Sequence, residues 1–204
     1  MTPTLAEHAR TESWAGEVRV NMIRIAALLL FYARHLIEFA TAAAGAPVRG
    51  AYHVRVTVLC LTWAIAAFAL HYFLVRRFVP WWLKFAAMLF DAAMITALCI
   101  NTGDGRTPLI LLLFVLVATA PLRLSLGLVY AATACSILAY LTQLATYAWK
   151  VVGYRKYYAT PELRIPRSHE AIVILALLAC GFLAGQSVRQ ARRMFMRGSG
   201  EARS

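Results

Sequence analysis

The sequence has few charged residues for its length. They make up 15% of the 204 residues, whereas a soluble domain carries about 25%. Hydrophobic residues account for 61% of the chain and the mean hydropathy is +0.65, against about 45–50% apolar residues in soluble domains. This composition excludes an ordinary soluble domain and is typical of an integral membrane protein.

The sequence also lacks the common motifs of catalysis and metal binding. It contains no Gly-rich phosphate loop, no HExxH and no nucleophile elbow. The four cysteines lie far apart inside apolar runs, without CxxC or Cys/His spacing, so they indicate neither a disulfide framework nor a zinc site; they are Cys60, Cys99, Cys135 and Cys180. We therefore expect a protein that is not an enzyme and needs no cofactor or metal.

The formal net charge of +12 does not indicate a nucleic-acid-binding protein. The 21 Lys and Arg residues lie between apolar runs rather than on one basic face. Such residues set the topology of a membrane protein and contact lipid headgroups. The lipid bilayer is thus the first expected partner, and nucleic acid is not expected.

The apolar runs predict an all-α, polytopic membrane helix bundle of about six transmembrane helices. A run of about 20 apolar residues matches the hydrocarbon core of a bilayer. The stretch 107–149 is long enough for two helices, broken at Pro121-Leu122-Arg123, and the polar turn Asn101–Arg106 precedes it. The other predicted spans are 20–43, 54–75, 80–100 and 170–188.

These spans divide the chain into a cytoplasmic N-terminal segment 1–19, a six-helix transmembrane domain 20–188 and a basic cytoplasmic tail 189–204. No small-residue cleavage site follows the first apolar run, so we expect that run to be a retained helix. Six spans place both termini on one side, and the larger share of Lys and Arg falls on that side. We therefore expect a multi-pass protein of the bacterial inner membrane with both termini cytoplasmic, although the connection 150–169 is also basic.

Ionisable residues inside the spans predict an intramembrane polar site, since such groups are costly in a bilayer. Arg34, His35 and Glu38 occur together in the first span, with Arg34 and Glu38 at i, i+4 spacing. Asp91 lies near the middle of the third span. With the first helix starting at Val20, ideal helical rise puts Arg34 and Asp91 within about 5 Å in depth, which predicts an ion pair. The pair either fixes helix packing, which we favour, or forms part of a proton or ligand site.

Two histidines inside the spans raise the hypothesis of a b-type haem, because two facing imidazoles can ligate iron. They are His35 and His71. In antiparallel neighbouring helices they would lie about 15 Å apart along the membrane normal, and this separation disfavours haem.

A GxxxG motif in the sixth span, Gly181 and Gly185, permits close approach of helices. It serves either packing within the chain or formation of a homodimer. Beyond this span, Val188, Ala191 and Phe195 follow at helical spacing among arginines. This arm is either a helix that lies on or leaves an anionic inner leaflet, or a simple stop-transfer cluster.

The stretch Phe90–Met94, followed by Asn101–Leu109 and Leu111–Phe114, resembles a known family. It is similar to the six-span sensory membrane domains at the N-termini of bacterial sensor histidine kinases. In those domains an Asp-bearing helix precedes a Gly-Gly or Gly-x-Gly turn, a Ser-Pro-Leu or similar step and a long apolar hairpin. The phospho-accepting and ATP-binding domains of such kinases have no counterpart before Ser204, so the resemblance implies a sensor-like membrane module without kinase activity.

The resulting hypothesis is a non-catalytic sensory or regulatory membrane module that signals to a cytoplasmic partner. The alternative is a subunit of a transporter, channel or other membrane complex, with Arg34, Glu38 and Asp91 along a polar path. A membrane enzyme is a third hypothesis, disfavoured because no His or acidic residues cluster at one face. A continuous polar cavity reaching Asp91 would favour transport, and a dry bundle with a protruding C-terminal helix would favour signalling.

Overall fold

The computed structural model describes residues 5–43, 50–77, 80–105, 107–160 and 163–201, and the side chains of residues 14–194 within those ranges. Over these residues the chain is helical and contains no strand, as expected where backbone polar groups must pair within their own segment. The α-helices are α1 Leu5–Thr41, α2 Ala51–Val75, α3 Leu83–Asn101, α4 Leu111–Thr119, α5 Leu126–Thr146, α6 Tyr154–Ala159 and α7 Arg167–Glu201. The prediction of an all-α helical bundle is confirmed.

Both terminal helices continue through the predicted domain boundaries. Helix α1 runs without a break past residue 20, and α7 runs past residue 188. The side chain of Trp14 already belongs to the bundle, because its indole Nε1 donates a hydrogen bond to the carbonyl of Leu74 at 2.9 Å. The first apolar span therefore begins near Trp14, about one and a half turns earlier than its hydropathy suggested.

Five helices in the described part of the chain are long and apolar enough to cross a membrane, and a shorter apolar segment, Pro108–Arg123, lies between the third and fourth of them. This segment combines 3-10 turns at Pro108–Ile110 and Ala120–Arg123 with α4 between them. The 3-10 helix rises about 2.0 Å per residue, so the whole segment reaches about 28 Å, close to the thickness of a hydrocarbon core. The break predicted at Pro121-Leu122-Arg123 is confirmed, since Leu124 adopts a left-handed conformation with φ of 50°.

Successive long helices pack antiparallel, with α5 at the centre. Thr133, Ser136 and Tyr140 of α5 are buried among its neighbours, and α5 packs against both α3 and α7. Five parts of the chain meet at one end of the bundle. They are the start of α1, the end of α2, the start of α3, the turn after α4 and the later part of α7. We call this the terminal end, and the opposite end the far end.

The outer surface of the bundle is apolar. Leu29, Leu30, Phe68 and Leu138 are each more than 60% exposed, whereas a soluble monomer rarely exposes a large contiguous apolar surface. These helices are thus compatible with a membrane protein whose outer face contacts lipid.

Candidate functional site

A buried ion pair joins α1 to α3 near the middle of the bundle. Nε of Arg24 donates to Oδ1 of Asp91 at 2.7 Å, and Nη2 of Arg24 donates to Oδ2. Arg24 is 8% exposed and Asp91 is 5% exposed. Two parallel bonds between a guanidinium and a carboxylate fix both distance and orientation, so this pair sets how α1 and α3 lie against each other.

Neighbouring polar groups make further hydrogen bonds to both members of the pair. The indole Nε1 of Trp63 donates to Oδ1 of Asp91 at 2.9 Å, so the carboxylate accepts three hydrogen bonds. Nη1 of Arg24 donates to Oδ1 of Asn21 at 2.6 Å, and Nδ2 of Asn21 donates to the carbonyl of Ala67 at 3.2 Å. The pair therefore also ties α2 to α1 and α3.

A second buried ion pair, between Arg123 and Glu17, lies closer to the terminal end than the first. Nε of Arg123 is 3.2 Å from Oε2 of Glu17, and both side chains are at most 4% exposed. Nη1 of Arg123 also donates to the carbonyl of Lys84 at 2.9 Å. From the other side, Nη2 of Arg192 donates to the carbonyl of Leu124 at 2.8 Å. The turn after α4 is thus held by α1, α3 and α7 together.

We call this set the buried charged network: Glu17, Asn21, Arg24, Trp63, Asp91 and Arg123. The charges of its two carboxylates and two guanidiniums cancel, so the network buries no net charge. This limits the desolvation free energy of the network. Among the described residues, no group of three or more His, Cys, Asp or Glu could hold a metal ion. What the geometry supplies is positioning of helices.

Comparison of the chain with protein-family models, with curated proteins and with solved structures finds no match. The resemblance to the membrane domains of sensor histidine kinases stays a prediction. Function is therefore inferred from the residues and their geometry.

The predicted pair between Arg34 and Asp91 is wrong, since Asp91 pairs with Arg24. Arg34 pairs instead with Glu38 on the surface of α1, with side chains 65% and 46% exposed. Counted from Trp14, Arg34 lies about 30 Å along the helix and Arg24 about 15 Å, whereas Asp91 lies about 12 Å along α3 from Leu83. The depth estimate failed because it began the first helix at Val20.

His35 also lies apart from Asp91, near the far end. Its Nε2 is 3.0 Å from Nδ1 of His53, and the rings stack with centroids 5.2 Å apart. The ring of Phe39 also stacks against that of His53, with centroids 3.9 Å apart. His71 lies 18 residues after His53 on α2, about 27 Å along the helix. His35 and His71 therefore do not face one another as axial haem ligands would.

The glycines of the GxxxG motif bring α7 close to α5 of the same chain. A Cβ added at Gly181 would lie 2.2 Å from Oγ1 of Thr133, while a Cβ at Gly185 would meet nothing nearer than 3.9 Å. Gly181 is thus required for packing within the chain. The geometry of Gly185 leaves space at the same helix face.

Most of the buried charged network was not predicted, although the sequence carries a signal for part of it. Glu17, Asn21 and Arg24 follow one another at i, i+4 and i+7, which places three polar side chains on one face of a helix. Arg123 sits at the predicted helix break, where a basic residue was assigned to the membrane surface. Its burial depends on Glu17, which lies 106 positions earlier and was assigned to a segment outside the bundle.

Proposed function

We propose that this protein is a non-catalytic sensory or regulatory membrane module that passes a signal through α7 to a cytoplasmic partner. The observation that carries the proposal is the turn after α4. This turn is bound to α1 by Arg123 and Glu17, and to α7 by the bond from Arg192 to the carbonyl of Leu124. A displacement of α1 therefore has a direct physical route to α7.

The form of α7 supports the same proposal. The helix continues to Glu201, nine residues beyond Arg192, or about 14 Å at ideal rise. A continuous helix transmits rotation or translation along its axis, whereas a flexible tail does not. The arm beyond Arg192 is the part of the chain suited to contact a partner outside the membrane.

A transport role has less support from the geometry. The cavity that reaches Arg24 and Asp91 has a lining that is almost wholly apolar and lies between α2 and α3. An ion or polar solute needs polar groups along its path, and the charges at the floor of this cavity already bond to one another. A subunit of a transporter or channel is therefore the alternative that the experiment below must separate.

A photo-crosslinker placed at Arg197 tests the role of the arm in intact cells. We expect it to capture a cytoplasmic signalling protein from the full chain. Met194→Pro should abolish capture, because proline in the interior of a helix destabilises it by about 3 kcal/mol or more. The matched control Met194→Ala should retain capture. Insertion of both variants is checked by membrane fractionation. Equal capture of an integral transport subunit in both variants would favour the transporter or channel alternative and would refute the signalling proposal.

We further propose the bacterial inner membrane as the location, with both termini cytoplasmic. This rests on the positive-inside rule and on the position of Arg76, Arg77, Lys84 and Arg192 at the terminal end. Single cysteines at Ser204 and Gly103, in a chain without the native cysteines, test it. Only the residue at 103 should react with an impermeant maleimide from outside; reaction at 204 would reverse the orientation.

A further inference from the structure

Helices α2 and α3 leave a groove between them at the terminal half of the bundle. Its volume is about 330 Å³, within the range of about 300–1,000 Å³ found for ligand sites. Ala69 and Phe73 form part of the wall on α2, and Ala86 and Phe90 form part of the wall on α3, with the Arg24–Asp91 pair at the floor. Ala69, Phe73 and Ala86 are exposed, so the groove opens sideways at the outer surface of the bundle.

The groove ends among cations at the level of the membrane surface. Arg76 follows Phe73 by one helical turn, and Lys84 follows Leu83 in the opposite wall. The guanidinium of Arg76 lies 5.3 Å from the ring centroid of Tyr72, and the amine of Lys84 lies 5.7 Å from that of Phe85. The guanidinium of Arg77 lies instead over the ring of Trp14 in α1. Trp81 and Trp82, at the start of α3, are 77% and 52% exposed. Exposed tryptophans are typical of the headgroup region of a bilayer, which places Arg76 and Lys84 at the depth of the lipid phosphates.

The length of the groove matches half of a bilayer. Along α2 it runs from Trp63 to Phe73, about 15 Å at ideal rise. One leaflet contributes about half of a hydrocarbon core of about 30 Å. The groove is thus an apolar slot one leaflet deep, with positive charge at its mouth.

We propose that this groove binds one anionic phospholipid, with an acyl chain between α2 and α3 and its phosphate against Arg76 and Lys84. The apolar walls fit a hydrocarbon chain, and the cations supply charge complementarity for the phosphate. This inference is independent of the proposed signalling role.

Lipid retention by the purified full chain tests the proposal. The chain is reconstituted in phosphatidylcholine containing phosphatidylglycerol with the same acyl chains, and lipids that remain bound are identified by native mass spectrometry. We expect one phosphatidylglycerol to be retained in preference to phosphatidylcholine. Arg76→Gln with Lys84→Gln should lower this preference roughly fivefold for each cation removed.

Two controls separate a specific site from general attraction of anionic lipid. Arg19→Gln removes an exposed cation of α1 at the same end and should leave the preference unchanged. Ala86→Phe fills the groove from an exposed position and should abolish retention of either lipid, with folding checked by gel filtration. Equal losses in Arg19→Gln and in the groove variants, or retention that survives Ala86→Phe, would overturn the proposal.

A photo-crosslinker at Ala69 identifies the occupant directly. A lipid adduct supports the proposal. An adduct with a second copy of the chain, or with the transmembrane helix of another protein, would show that the groove is a protein interface and would refute lipid binding there.

Discussion

Replacing Asp91 by Asn would leave the guanidinium of Arg24 buried without a counter-charge. Both groups are less than 10% exposed, and their two mutual hydrogen bonds lie in the interior of the bundle. Breaking a buried ion pair from one side costs about 3–5 kcal/mol. We expect Asp91→Asn and Arg24→Gln each to lower the free energy of unfolding by that amount, measured by titration with a denaturing detergent and circular dichroism.

The double variant distinguishes a paired charge from two independent ones. With both charges removed, no uncompensated ion remains, so part of the loss should be recovered, with a coupling energy of about 0.5–3 kcal/mol. The matched control is Arg34→Gln, which removes an exposed i, i+4 pair worth about 0.3–0.5 kcal/mol. Strictly additive losses, or a loss for Arg34→Gln as large as that for Arg24→Gln, would refute the assignment.

Further predictions concern close approaches of the backbone. Gly181→Ala should lower the free energy of unfolding by about 1–3 kcal/mol, because the new Cβ would overlap Thr133. Gly185→Ala, with its nearest contacts at 3.9–4.0 Å, should change it by less than about 0.5 kcal/mol. The same titration compares the two, and equal effects would contradict the packing described. Gly16→Ala should lower the free energy of unfolding at least as much as Gly181→Ala, because its Cβ would lie 2.1 Å from the backbone carbonyl of Leu122. A backbone atom moves less readily than a side chain. A stability equal to that of the unsubstituted chain would show that α1 does not approach the turn so closely.

Hydropathy and turn chemistry predicted the apolar helices, but not the start of the first span near Trp14 or the short helix α6. The run from Thr107 to Trp149 was correctly divided at Pro121-Leu122-Arg123, where proline and the left-handed Leu124 end the 3-10 turn. The segment Pro108–Arg123, which contains that break, is shorter than the length usually required of a membrane-spanning helix. It was still predicted, because the apolar run as a whole was too long for one helix.

The partner of Asp91 could not be predicted from hydropathy alone. The choice between Arg24 and Arg34 depends on where α1 meets the membrane surface, and an error of six residues moves each by about 9 Å. Glu17 lies among polar residues in the sequence, and only its contact with Arg123 shows that it is buried. Long-range pairs of this kind depend on tertiary packing rather than on local composition.

The distance along the chain between Arg24 and Asp91 bears on how the protein is synthesised. They are 67 residues apart, which a ribosome translates in roughly 3–13 s. During that time Arg24 would have to enter the bilayer without its counter-charge, at a cost of about 2.5–3.5 kcal/mol at mid-depth. We therefore expect α1 to remain at the insertion machinery or the membrane surface until α3 emerges, so that the two helices enter the lipid as a unit.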